Sequence, residues 1–228
     1  MSLLLPAVAR AAERISTLGP LEGGEYESAG TALADWIRSR VANRLPAPVI
    51  FVCTGNSRRS VLGAVLGNVA AVWYQLPGVH CYSGGTAPSA LNRRTIATLC
   101  ALGIEIEPTG ELAHRGADGI ENPIYRIRWG ADAGESKGQM LDFSKHYGTP
   151  PNPHAEFAAV MVCDEADAGC PNVSGAAIRI PAKFVDPKVA DDTAEEESTY
   201  AARRDQIGRF VFGAMAKAAH PANQQAAT

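Results

Sequence analysis

Long apolar runs are scarce in this chain of 228 residues. The opening stretch, MSLLLPAVARAAER, is too short in its apolar part to span a bilayer, and no basic segment precedes its leucines. Neither a transmembrane helix nor a secretory leader is expected from it. An excess of one charge sign is missing as well. Lys plus Arg number 21 against 24 Asp plus Glu, a net charge of −3, which gives no reason to expect nucleic acid or a membrane surface as partner. Cysteine is sparse and odd in number, five in all, which does not suit the disulfide framework of a secreted domain. A cytoplasmic setting follows as the expectation. The histidines, His80, His114, His146, His154 and His220, stand at no metal-ligand spacing. A dinucleotide-type glycine fingerprint and a phosphate-loop lysine are also missing. No metal and no cofactor are therefore expected.

What is present is ordinary globular material, 46% hydrophobic and 20% charged, enough for a sizeable core. Residues 1–46 form a helical extension. Leu5, Val8, Ala12 and Ile15 recur at helical spacing, and after the turn Gly19–Gly24 a second stripe runs through Leu33, Trp36, Ile37 and Val41. Such helices pack on the main domain or on a partner chain. The main domain is expected over 47–220. Its pattern alternates: strand Val49–Val52, a helix from about Arg59, strand Val79–Ser83, helix Asn92–Leu102 stopped by Gly103, and strand Ile104–Ile106. That alternation implies right-handed crossovers and a parallel α/β sheet. From about 108 to 156 the periodicity fails, and a loop-rich insertion is expected. Strands resume at Phe157–Val162 and Ala177–Ile180. Thr193 with Glu196 reads as a capping box opening the last helix, which carries Tyr200, Ile207, Val211 and Met215 inward.

One stretch organises the rest, Pro48 to Ser60, PVIFVCTGNSRRS. Val49, Ile50, Phe51 and Val52 make a strand suited to burial on both faces. Cys53 stands at its exit, the turn Thr54-Gly55-Asn56-Ser57 follows, and Arg58, Arg59 and Ser60 open a helix. A strand–loop–helix junction aims backbone N–H groups into one small space, and the helix dipole adds to their attraction for an anion. The same field favours the thiolate of a cysteine so placed. Arg59 adds a planar fork matched to two oxygens of a phosphate or arsenate. Ser60 can donate to the sulfur. Gly55 permits close backbone approach, and Asn56 tolerates a left-handed conformation. Read alone, Cys53 could equally be a buried strand-end cysteine and Arg59 a surface residue, but the strand, turn and serine all agree with the first reading.

CTGNSRRS resembles the phosphate-binding signature of the low-molecular-weight protein tyrosine phosphatases and of the thioredoxin-coupled arsenate reductases that share their fold. The resemblance covers about Pro48–Glu107 and Phe157–Ala216. It implies an α/β three-layer sandwich with a mostly parallel four-stranded sheet, here carrying an N-terminal helical extension and the insertion. It also implies Cys53 as nucleophile, Thr54, Gly55, Asn56, Ser57 and Arg58 as the oxyanion-holding loop, and Arg59 as transition-state clamp. Arg58 stands where many members carry a second cysteine, so a protecting disulfide within the loop is ruled out. The family's general acid lies in an Asp-Pro loop before the last helix. Asp186-Pro187 matches in order and context, and the proline favours an extended, projecting aspartate. An ordinary turn is the plain alternative there. Asp191 and Asp192 are better assigned to the coming helix N-terminus.

Cys163 and Cys170, in VMVCDEADAGCP, resemble the pair through which the reductases pass oxidation outward by thiolate exchange. The plain alternative is a core cysteine and a turn cysteine. Cys81 and Cys100 read as core. The leading expectation is a phosphomonoester hydrolase acting through a cysteinyl-phosphate, with a phosphotyrosine protein or small aryl phosphate as substrate. The alternatives are an arsenate reductase using Cys53, Cys163 and Cys170 with thioredoxin as partner, and a non-catalytic oxyanion- or phosphoprotein-binding module.

Overall fold

Two helices, α1 (Pro6–Thr17) and α2 (Gly24–Ala42), precede β1 (Ala47–Cys53), α3 (Arg59–Trp73), β2 (Val79–Gly85) and α4 (Arg93–Cys100). Then come β3 (Glu105–Ala113), β4 (Asn122–Arg128), β5 (Gln139–Asp142), β6 (Phe157–Met161), β7 (Ala176–Pro181), a 3-10 turn over Pro187–Ala190, and α5 (Glu196–Ala219). The computed structural model describes residues 3–116, 119–131, 138–164, 166 and 172–220.

Burial on both faces decides the place of β1. Val49 to Val52 are each 0% exposed, which only a covered parallel sheet provides. The sheet has the order β2-β1-β6-β7 with every pairing parallel. Helices flank it, so the chain is an α/β protein of three-layer type. Helix α3 packs on β1 and β2, while α5 packs against both α3 and α2. In α4, Asn92 caps the first turn by accepting from Arg94 N at 2.9 Å, and Gly103 beyond its end takes φ +85°. Edge strand β2 is closed off by side chains. Asn68 of α3 donates to Cys81 O at 2.8 Å and accepts from Cys81 N at 3.0 Å, and Asn152 donates to Ser83 O at 2.9 Å.

The N-terminal helices pack on their own chain. Leu33 and Ile37 are fully buried. Arg14 makes a two-point contact with Asp205 at 2.9 and 3.0 Å, and Arg209 reaches Gly19 O and Pro20 O at 3.0 and 2.9 Å. Val41 departs from the expected apolar stripe and lies exposed near the end of α2. Among the described residues no helix is long and apolar enough to cross a membrane.

The structure corrects four further expectations. Ile104–Ile106 is no strand of the parallel sheet. Strand β3 pairs antiparallel with β4, Glu105 opposite Arg128 and Ile106 opposite Ile127, and β4 pairs with β5 in a separate three-stranded sheet. The reason is polarity: Glu105, Glu107 and Glu111 leave β3 mostly exposed, and a parallel strand would have to bury them. With β4 and β5, much of the region read as loop is therefore antiparallel strand. The expected capping box does not close either. Helix α5 begins at Glu196, Thr193 Oγ1 accepts from Glu195 N at 3.3 Å, and the Glu196 carboxylate accepts from Asp192 N at 2.6 Å. Finally, Cys81 is buried as expected, whereas Cys100 is exposed at the end of α4.

Candidate active site

The loop Thr54–Arg58 joins the C-terminal end of β1 to the first turn of α3, and its backbone polar groups are sorted by direction. The carbonyls of Cys53, Thr54, Gly55 and Ser57 accept from the amides of Thr86, Ala87, Ser89 and Asn92 at 2.9–3.1 Å, and that of Arg58 accepts from Leu62 N at 3.0 Å. Gly55 O also accepts from Ser144 Oγ at 2.9 Å. Among the described residues, the amides of Thr54 through Arg58 find no acceptor in the protein. A run of unpaired N–H groups at a helix start, with its carbonyls tied back, is an anion-binding concavity.

Two residues hold that shape. Asn56 adopts φ +43° and is 0% exposed. Its Oδ1 accepts from Lys145 N at 2.8 Å and its Nδ2 donates to Ser60 Oγ at 3.0 Å. Gly85, opposite Cys53 in the parallel register, lets the loop lie against β2. A Cβ there would stand 2.5 Å from Thr54 O and 2.8 Å from Asn56 N, closer than atoms pack. The Cys53 thiol, 3% exposed, lies 3.1 Å from Ser60 Oγ. Ser57 Oγ donates to Ala90 O at 2.5 Å and so belongs to the loop's scaffold.

The two arginines face different partners. Arg59, 7% exposed, donates to Phe184 O at 3.0 Å and to Asp186 Oδ2 at 2.6 Å, which brings the Asp-Pro segment onto the first turn of α3. Its Nε is buried with no partner among the described residues. Asp186 also caps the 3-10 turn by accepting from Lys188 N at 3.0 Å. Arg58 donates through Nε to the Tyr200 hydroxyl at 2.7 Å and through Nη2 to Asp191 Oδ2 at 2.9 Å, and Tyr200 donates to Asp191 Oδ1 at 2.7 Å. Burial works against the Arg58 cation, but Tyr200, Asp186 and Asp191 outweigh it and hold its pKa above the usual arginine value. Burial, with the hydrogen bond to Asp191, pushes the Tyr200 phenol up to about 12. Asp191 thus belongs to the support of the loop, whereas Asp192 pairs with Arg94 at the surface at 2.6 Å.

Cys163 lies beneath the loop, with Thr54 Oγ1 3.6 Å from its sulfur. Burial pushes its thiol up, opposed by the contacts from Thr54 and Ala166 N. Cys170 lies outside the described residues, so only the first of the two relay candidates is placed.

Several groups at the site escape sequence reading. Lys145 and Ser144 come from the segment after β5, Tyr200 from α5, and Tyr26 from α2. The Tyr26 ring stacks on Phe184 at 5.0 Å between centroids, and its hydroxyl donates to Lys183 O at 2.5 Å, bracing the chain just ahead of Asp186. Tyr200 carried a signal as an inward residue of the last helix. The others carried none.

No protein-family model matches the chain, and no curated protein matches it. Among solved structures, a low-molecular-weight phosphotyrosine phosphatase from Vibrio cholerae O395 aligns with a TM-score of 0.44 and 12% identity over 75% of this chain and 95% of that one. A likeness so remote leaves the functional reading to rest on the site itself.

Proposed function

We propose that the chain is a cysteine-dependent phosphatase that hydrolyses phosphomonoesters of the aryl, phosphotyrosine type. The observation that carries this reading is the sorted loop backbone. Amides without acceptors among the described residues surround the end of β1, and the Cys53 thiol stands at that same point beside the Ser60 hydroxyl.

In the proposed cycle a phosphate dianion settles on the loop amides and competes with Asp186 for Arg59. The Cys53 thiolate attacks phosphorus, and the bond from phosphorus to the leaving oxygen breaks. Asp186, freed from its ion pair and protonated, supplies the proton that oxygen needs. The amides and the Arg59 fork hold the charge that gathers on the equatorial oxygens. Water then attacks the cysteinyl-phosphate, its proton returns to the Asp186 carboxylate, and the S–P bonding pair goes back to sulfur. Ser60, already in contact with that sulfur, stabilises the departing thiolate.

The test is hydrolysis of p-nitrophenyl phosphate and phenyl phosphate. Cys53→Ser abolishes both activities. Asp186→Asn lowers kcat by about 10²–10³-fold on phenyl phosphate, whose leaving group needs the proton, and less on p-nitrophenyl phosphate. Full activity in Cys53→Ser, or equal loss on both substrates in Asp186→Asn, refutes the assignment concerned.

A second reading is favoured by the placement of Cys163 next to Thr54. In it Cys53 forms a sulfur–arsenic bond with arsenate, losing water. Cys163 then attacks the Cys53 sulfur, and the S–As electron pair leaves with arsenic as arsenite. Cys170 would accept the disulfide, and a thioredoxin dithiol would reduce it. Thioredoxin-dependent arsenate turnover that is lost in Cys163→Ser, with negligible aryl-phosphate hydrolysis, would install this reading in place of the first. Inorganic phosphate binding with neither turnover would leave a binding module.

A further inference from the structure

A phosphate dianion that takes Arg59 removes the ion pair holding the Asp186 side chain at the phosphate loop. Arg58 does not replace it, because its Nε stands 4.0 Å from Asp186 Oδ1, beyond hydrogen-bond reach. Upstream of Asp186 the chain is braced at Phe184, whose N–H donates to Val162 O at 3.1 Å. Downstream lies the 3-10 turn Pro187–Ala190, in which Pro187 and Ala190 are buried. Asp186 Oδ1 accepts from Lys188 N at 3.0 Å, and Asp191 N donates to Lys188 O at 3.0 Å. Thr193 Oγ1 donates to Ala190 O at 2.8 Å. Asp186 and Asp191 therefore flank one short, internally tied unit.

Asp191 closes a ring with the loop and the last helix. Its Oδ1 accepts from the Tyr200 hydroxyl at 2.7 Å and its Oδ2 from Arg58 Nη2 at 2.9 Å. Arg58 Nε donates to the Tyr200 hydroxyl oxygen at 2.7 Å, so each of the three side chains meets both others. Arg94 Nη1 adds a second positive charge 3.5 Å from Asp191 Oδ2. Tyr200 is buried, and the Arg58 and Asp191 side chains are mostly so. Every bond of the ring includes a charged group, and such bonds are stronger than neutral ones. None of them uses Arg59 or a loop amide. An anion can therefore settle on the loop without breaking the ring.

We infer that Asp191 and Tyr200 are positioning residues that hold the Asp-Pro turn on Arg58, so that Asp186, once released from Arg59, stays beside the leaving oxygen. The inference rests on the phosphatase reading, which gives Asp186 its work as proton donor. Neither positioning residue touches the substrate. Their contribution falls on the step that needs a proton at the leaving oxygen, because a displaced donor slows that step steeply. Anion binding belongs to the amides and Arg59 and is left alone. A merely structural support of the loop would instead weaken binding and turnover together.

The test compares phenyl phosphate with p-nitrophenyl phosphate, and uses inorganic phosphate as competitive inhibitor, in the full-length protein. The variants are Asp191→Asn, Tyr200→Phe, and Asp191→Asn combined with Asp186→Asn. In each of the first two, kcat should fall about tenfold on phenyl phosphate and only about twofold on p-nitrophenyl phosphate. Inhibition by phosphate, which also reports that the loop is folded, should stay within about twofold of wild type. In the Asp186→Asn background, Asp191→Asn should leave the ratio of the two kcat values unchanged, because the donor it positions is gone. Asp192→Asn, at the neighbouring surface pair with Arg94, should alter neither activity. Equal losses on the two substrates in Asp191→Asn and Tyr200→Phe overturn the inference. So does a further change of the ratio in the double variant, or phosphate inhibition weakened about tenfold in both single variants. In each of these cases the phosphatase reading stands as long as Asp186→Asn alone separates the two substrates. Equal loss on both in Asp186→Asn overturns the assignment of the donor and this inference together. If Asp191→Asn fails to fold, Tyr200→Phe, which keeps the buried ring, decides by the same criteria.

Discussion

Replacing Asn56 with alanine tests whether the phosphate loop is built as described, because one side chain there performs three separate tasks. Its Oδ1 accepts from Lys145 N and its Nδ2 donates to Ser60 Oγ, both inside the protein at 0% exposure. Without the carboxamide, the Lys145 amide is left unpaired where water does not reach, at about 1–3 kcal/mol. Loss of the bond to Ser60 costs about 1 kcal/mol more. Alanine at φ +43° adds about 1 kcal/mol of backbone strain that asparagine largely escapes. The expected total is about 3–5 kcal/mol, a large part of a stability on the order of 5–15 kcal/mol. With a urea slope of about 2 kcal/mol per molar, the unfolding midpoint should fall by about 1.5–2.5 M. Asn56→Gly is the internal control. It loses both hydrogen bonds but adopts a left-handed backbone freely, so it should be about 1 kcal/mol more stable than the alanine variant. An alanine variant within about 1 kcal/mol of wild type would refute the three-task account. Equal loss in the glycine variant would refute the strain component alone.

Two further predictions concern pH. The Tyr200 phenol, pushed up to about 12 by burial and by Asp191, keeps its proton in the folded state above pH 10, where the unfolded tyrosine gives it up. Its stabilisation is therefore complete below about pH 10 and is lost as pH rises towards 12. Urea midpoints from pH 9 to 11.5 should fall more steeply in wild type than in Tyr200→Phe. Burial raises the Asp205 carboxyl, but the hydrogen bonds from Arg14 and Arg204 outweigh it and hold its pKa below the usual value. Its stabilisation is present above about pH 4 and is lost as pH falls through the depressed folded value. Asp205→Asn should lower the thermal midpoint at pH 7 and flatten its decline between pH 4 and 2. An unchanged acid limb in that variant would show that the Arg14–Asp205 pair contributes nothing to docking α1 on α5.

What could be read from sequence was what is local. Val49–Val52 running into Cys53, a Gly-Asn turn and an arginine-rich helix start are contiguous, so strand, loop and helix declare themselves together. Asp186 announced itself through the following proline. The residues that hold these pieces in place did not, because they arrive from far along the chain: Lys145 meets Asn56 across 89 positions and Tyr200 meets Arg58 across 142. Ile104–Ile106 misled for a different reason. A short apolar run looks the same in a parallel and in an antiparallel strand, and only the glutamates around it favour the solvated sheet. The capping box at Thr193 failed because Glu196 is held by Arg94 and the Asp192 amide.

Strand β2 lies at the border of the parallel sheet, where outward backbone groups would ordinarily invite another chain to add a strand. Here the groups at Cys81 are taken by Asn68, the carbonyl of Ser83 by Asn152, and Gly85 pairs with Lys145 and Tyr147. Two carboxamides and a short return of backbone thus do the work that charged or proline-bearing border strands do elsewhere. Protection against edge-to-edge aggregation on this side is local and side-chain encoded. A single change such as Asn68→Leu would leave the fold's topology intact while uncovering a template for self-association.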